Sequence, residues 1–330
     1  MFAYREKNNE AAKVRHLRPL IDVAATHEYL PLQDELWLER FCTLRKDFIK
    51  VAEQIQNFEV RDDDVFVVTL MKCGTTWMQE TVWLLMHQLD FQRAKALNIQ
   101  QRSIYLEFIG LYAEMSENSI EMCNQQQSPR VIKSHLPMNL LPKQLWQKKS
   151  KTIFVARNVK DVVVSTYHFV KGVGQWSGNI NEFVQDFMDN EILYLPYWAD
   201  IVDFWKLRHE PHIFFVTFEE MKRDLSGVIK RLCVFLERPQ LTDLELKDAL
   251  EHLSFDKMKK NKSTNITDNI NNAKIDLKMK LDKNFEFMRR GIVGSYKDEL
   301  SAENQRILSE WSRTCLAQHG ITEEDIFGNL

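Results

Sequence analysis

Four short runs that are apolar on both faces constrain this chain more than any other feature. They are "VFVVTL" (65–70), "RVIKS" (130–134), "KTIFVA" (151–156) and "HIFFVTF" (212–218). A strand with one face in water alternates apolar and polar residues, whereas a continuous apolar strand needs cover on both sides, as parallel sheets have. Helical patterns follow three of these runs directly: "TTWMQETVWLLMHQL" (75–89), "VKDVVVSTYHFV" (159–170) and "EEMKRDLSGVIKRLCVFL" (219–236). Thr75 reads as the N-cap of the first. Strand, helix and strand in this order predict an α/β fold, a single doubly wound domain on a central parallel sheet.

The expected domain spans 1–330, with an N-terminal arm (1–60), a core (61–258), a lid loop (259–284) and a last segment (285–330). The lid expectation rests on "KKNKSTNITDNINNAKIDLKMKLDKN", which is rich in Asn and Lys and has little periodicity. Within it Lys259, Lys260 and Lys262 read as a solvated run. A C-terminal helix is expected over 301–320, started by Ser301 and stopped by Gly320.

A net charge of −3 gives no global reason to bind nucleic acid, so any affinity for anions is local. No apolar stretch approaches the roughly 20 residues of a bilayer-spanning helix, and the start "MFAYREKNNEAAKVRH" lacks a secretory h-region. The 5 cysteines are odd in number, scattered and without a CxxC pair, which argues for a reducing compartment. The expected location is cytoplasmic.

Between the first strand and helix lies "LMKCGTT" (70–76). A strand running into a helix N-terminus offers free amides and a positive dipole end to an anion. In nucleotide triphosphatases the loop reads GxxxxGK[ST], with the lysine after the second glycine. Here Lys72 precedes Gly74, and no Walker-type magnesium ligand accompanies the loop. A nucleotide kinase is therefore the weaker reading. "PRVIKSHLP" (129–137) puts Lys133 and His135 on one face at a strand end, "VARNVKDVVVS" puts Arg157 at another, and "FMRRG" (287–291) adds Arg289 and Arg290.

These four segments together resemble the cytosolic sulfotransferase family. Its YPKSGTTW loop is matched by Leu70 to Trp77, its KTHLP by Lys133 to Pro137, its ARNPKDVxVS by Ala156 to Ser165, and its RKGxxGDWK by Arg289 to Lys297. The resemblance implies 3′-phosphoadenosine 5′-phosphosulfate as donor, its 3′,5′-bisphosphate (PAP) as product, and no metal. It gives Lys72, Cys73, Gly74, Thr75 and Thr76 to the phosphosulfate, and Arg157, Ser165, Arg289, Arg290 and Gly291 to the 3′-phosphate. Trp77 and Phe255 would sandwich the adenine, with Phe218 where the family usually has tyrosine. His135 would be the general base, assisted by Lys72 and Lys133. Phe169 would gate an acceptor pocket drawn from the arm, "RSIYLEFIGLY" (102–112) and the lid.

The implied partner is a small hydrophobic phenol, steroid, retinoid or catecholamine, with neither nucleic acid nor membrane involved. Net dehydration through a transient sulfate ester is the alternative on the same fold. His168 reads as structural. Cys73, beside Lys72 and a helix N-terminus, is expected to have thiolate character. The family's KxxxTVxxxE dimer segment becomes Lys297, Ser301, Ala302 and Arg306, which implies a monomer or a weak homodimer.

Overall fold

The computed structural model describes residues 1–32, 40–112, 118–276 and 284–328. Strands β1 (Phe2–Glu6), β2 (Leu20–Ala25) and β3 (Cys42–Arg45) form an antiparallel sheet. Strands β4 (Val65–Thr69), β5 (Val131–Ser134), β6 (Lys151–Ala156) and β7 (Ile213–Thr217) form a parallel sheet in the order β5-β4-β6-β7. Val65 pairs with Val131 on one side and with Lys151 on the other, so β4 lies inside the sheet.

The alternate residues of β4 enter two different cores. Phe66 and Val68 join a cluster with Ile132, Phe154 and Phe204, while Val65 and Val67 join Met78, Val82, Ile153 and Leu232 across the other face. All of these are buried. Each such side chain contributes roughly 1.5–3 kcal/mol relative to exposure, which is why the four runs have no polar face. This is the expected α/β layering.

The helices that position the site are α1 (Thr75–Met86), α2 (Val159–Gly172), α3 (Phe218–Arg223), α4 (Leu225–Phe235), α5 (Phe255–Lys260), α6 (Thr267–Asp276) and α7 (Ala302–Ala317). Asn158 caps α2 by accepting from the Lys160 amide at 3.1 Å. The run 219–236 is two helices rather than one. Asp224 ends α3 and restarts the chain by accepting from the Gly227 amide at 2.8 Å. Ser301 caps α7 as expected, but the helix ends at Ala317, ahead of Gly320.

The lid expectation needs correction. The stretch 259–284 is not one irregular loop, because α5 runs into it and α6 lies within it; residues 277–283 fall outside the described residues. Asn265 Oδ1 accepts from the Thr267 amide and hydroxyl at 3.3 and 2.7 Å, which starts α6. The Lys274 ammonium then donates to the Gly172 carbonyl at the end of α2, at 2.5 Å. A weakly periodic sequence becomes helical because capping and one buried ammonium anchor it.

The N-terminal arm, in turn, carries β1–β3. Its "LIDVAA" strand hides a charge: Asp22 is buried and paired with Lys7 at 3.1 Å, which breaks the apolar pattern that identifies strands. No described helix is long and apolar enough to cross a membrane.

Candidate active site

The C-terminal ends of β4, β5 and β6 open on a cavity of about 560 Å³. Between β4 and α1 the backbone turns through Lys72 (φ +66°) and Gly74 (φ +98°), both left-handed. At Gly74 a Cβ would lie 2.8 Å from the Phe218 ring, so only glycine fits both the turn and the neighbour. Thr75 and Thr76 open α1 on the cavity wall, and the Thr75 and Thr69 hydroxyls share a hydrogen bond of 2.6 Å. The Lys72 ammonium sits 4.6 Å from the centroids of both Phe169 and Phe287. Burial, then the like charges of Arg157, Lys133 and Arg289, lower its pKa to about 7.

His135 follows β5. Its Nδ1–H donates to the Thr69 carbonyl at 2.7 Å, which fixes the tautomer and leaves Nε2 able to accept a proton. Burial first, then Lys133, push its pKa well below the usual value, with Lys72 adding to the effect. The ring is therefore neutral at physiological pH. Tyr105 and Tyr194 meet it edge-on at 5.1 and 5.3 Å, and their hydroxyls are hydrogen-bonded to each other. Glu107, fully buried, holds the strand end by accepting from the His135 amide at 2.6 Å and the Ser134 hydroxyl at 2.9 Å. Burial raises the Glu107 pKa and lowers that of Lys133, whose ammonium lies 3.9 Å from the Tyr105 centroid.

Arg157 leaves β6 and donates to the carbonyls of Lys72 at 2.9 Å and Ile292 at 3.2 Å, while its Nε is buried without a partner. Ser165 and Phe169 reach the cavity from α2. Arg289, Arg290 and Gly291 arrive after α6 on a turn that Asp161 organises. Its carboxylate accepts from the Gly294 amide (2.7 Å), the Ser295 hydroxyl (2.9 Å) and the Tyr296 amide (3.1 Å). Gly291 is left-handed (φ +63°), and a Cβ there would strike the Phe255 ring at 2.2 Å. Arg289 pairs with Glu299, which also meets His168, and Arg290 pairs with Asp298 at 2.6 Å. Trp77 and Phe218 meet edge to face at 5.7 Å, and both line the cavity with Phe255.

Crowded cations, two glycine cradles and an orphaned guanidinium N–H favour an anion here, with the Trp77, Phe218 and Phe255 rings along the same cavity. Cys73 is the exception among the expected residues. Its side chain is fully buried and its Sγ points to the Met71 carbonyl at 3.8 Å, so only its backbone can serve the loop. Burial raises the thiol pKa and outweighs Arg157, so the expected thiolate character is wrong. Lys259 and Lys262 pair with Glu286 (2.7 Å) and Asp268 (3.2 Å) and do not line the cavity.

Several residues at the site were not singled out from sequence: Thr69, Glu107, Tyr194, Asp161 and Glu299. Asp161 had a signal as part of the helix-start motif, and Glu107 lies in the 102–112 run given to the acceptor pocket; the others are brought in by packing.

The family profile described as "Sulfotransferase domain" matches residues 62–320. This chain belongs to the sulfotransferase family. The sulfotransferase is 32% identical to luciferin sulfotransferase of Photinus pyralis, over 97% of this chain and 88% of that protein. It is 34% identical to Sulfotransferase 1E1 of Homo sapiens, over 78% of this chain and 84% of that one. In fold it resembles retinol dehydratase, solved with androsterone and the inactive cofactor PAP. That likeness has a TM-score of 0.85 at 24% identity and covers 98% of each chain.

Proposed function

We propose that this sulfotransferase uses 3′-phosphoadenosine 5′-phosphosulfate as donor and a small hydrophobic alcohol, phenol or amine as acceptor, with His135 as general base. The observation that carries the reading is the Nδ1 contact to Thr69, which presents a neutral imidazole Nε2 to the same cavity as Lys72 and the α1 N-terminus. The names of relatives, one a luciferin sulfotransferase and one structure solved with androsterone and PAP, fit it.

The donor supplies the sulfuryl group and departs as the bisphosphate. Lys72, Thr75, Thr76 and the loop amide at Gly74 would hold the phosphosulfate, while the Cys73 amide closes the turn on the Leu70 carbonyl at 3.3 Å. Arg157, Ser165, Arg289, Arg290 and Gly291 would hold the 3′-phosphate, with Trp77, Phe218 and Phe255 around the base. His135 takes the acceptor proton at Nε2 while Lys72 and Lys133 oppose the negative charge that gathers on the leaving phosphate. Phe169, packed on Lys72, closes the acceptor side. Such a base typically supplies 10²–10⁴-fold, or roughly 3–6 kcal/mol of barrier.

The test pairs two variants. His135→Ala should lose about 10²-fold or more in kcat while calorimetry finds bisphosphate affinity within a few fold. Arg157→Ala should weaken the bisphosphate far more than it slows turnover at saturating donor. Identical behaviour of the two variants in both assays would overturn the division of roles. The mass of the product distinguishes a retained sulfate from net loss of water.

A further inference from the structure

The cavity has a second polar end, separate from the reacting centre. From His135, ring contacts run through Tyr105 (5.1 Å) to Phe108 (5.8 Å) and on to Tyr112 (5.0 Å). Beyond them the Arg45 guanidinium, carried by β3, stands 6.0 Å from the Tyr112 centroid. Arg45 is 2% exposed, and its Nε and NH1 groups are buried without a partner. Asp47, the acid that acts on it, is taken by Lys50 at 2.6 Å. Arg18 adds a like charge, and burial keeps the nearby His16 neutral. The guanidinium is therefore a buried positive charge with no carboxylate paired to it among the described residues, which is costly unless something completes it.

Its NH2 donates to Oε1 of Gln175, which lines the cavity. A guanidinium has only donors, so the amide orientation is settled: the oxygen faces Arg45, and Nε2 with its two N–H groups has no hydrogen-bond acceptor among the described residues. The Gln175 backbone is fixed on both sides, by its amide to the Val170 carbonyl (2.8 Å) and by its carbonyl from the Leu17 amide (3.1 Å). This end of the pocket thus offers a held donor backed by a charge that no described carboxylate pairs with.

We propose that Gln175, polarised by Arg45, selects acceptors that carry a carboxylate at the end opposite the hydroxyl to be sulfated. The inference deepens the reading above and rests on it. A neutral ester or ketone can accept from Gln175 Nε2, but only an anion also balances Arg45, and charge-assisted bonds are the stronger kind. The acceptor is then an apolar hydroxy acid rather than a plain phenol or steroid.

Hydroxyphenylpropionic acid and its methyl ester are the probes, compared by kcat/KM with labelled 3′-phosphoadenosine 5′-phosphosulfate. The acid should be preferred by about tenfold or more. Gln175→Glu is isosteric, satisfies Arg45 from within and removes the N–H donors, so it should collapse or invert the acid-to-ester ratio. Gln175→Leu should bring the ratio toward one. The ratio is read rather than either rate, so a general loss of folded enzyme does not mimic the result. Calorimetry of the acid on the bisphosphate-loaded enzyme should show the same loss in both variants. Equal use of acid and ester by the unaltered protein, or a preference that both variants retain, would overturn the inference. Transfer to neither probe, with the bisphosphate still bound, would overturn the small-phenol reading itself and this inference with it.

Discussion

Lys72 is placed to change its protonation when an anion arrives. In the free protein its pKa is lowered to about 7 by burial and by three neighbouring cations. A bound bisphosphate opposes those cations and raises it again. Binding at pH 8 should therefore take up protons, with uptake fading toward pH 6, where the ammonium is already charged. Calorimetry in buffers of different ionisation enthalpy measures this, and proton-neutral binding at pH 8 would contradict it.

Asp200 makes a different kind of prediction. Both of its carboxylate oxygens are buried without a partner. Burial and then Asp203 push its pKa well up, against Arg40. A carboxyl whose folded pKa is raised contributes most below its unfolded value of about 3.9, and that contribution drains away as pH climbs through the folded value. Asp200→Asn keeps the shape and removes the ionisation. Its Tm at neutral pH should rise by about 2 °C or more and fall less steeply with pH. Parallel Tm profiles for the two proteins would rule out a charged Asp200 as the cause.

Among the elements, α6 is the one whose behaviour should depend on the donor. In sequence it lies between Phe255 and the arginine turn, and Asn269, Ile270 and Ala273 line the cavity. Few of its residues are deeply buried, so its opening should cost little. Adding bisphosphate should slow amide exchange in 259–276, and unchanged exchange there would defeat the idea of a lid. The sequence of α6 hides the helix because its support is tertiary: Lys274 on Gly172, and Thr267 held by Asn265. The parallel strands were legible for the opposite reason, since burial on both faces leaves a continuous apolar run. Lys72, His135 and Arg157 were legible because the motifs place them at strand ends. Tyr194 and Glu107 reach His135 only through folding. Cys73 was misread because a thiol beside a lysine in sequence can still turn away into the core.

For the whole molecule, the segment from Lys297 to Arg306 bears on assembly. Arg306 is held on its own helix by Glu303 and Glu310, both at 2.8 Å, and Ser301 is occupied as the α7 cap. Groups already satisfied within one chain have little to offer a symmetric copy. Light scattering at micromolar concentration should find a monomer or a weak dimer, and a tight dimer unaffected by Arg306→Glu would place the contact on another surface. The same stretch holds Asp298 and Glu299, which keep Arg290 and Arg289 in company when no phosphate is present. On the proposed site this makes loading and release an ion exchange. An incoming phosphate would evict the resident carboxylates, and those carboxylates would return as it departs. At such a site the enzyme would carry its own displacing anion, and product would leave by substitution instead of having to tear free from bare arginines.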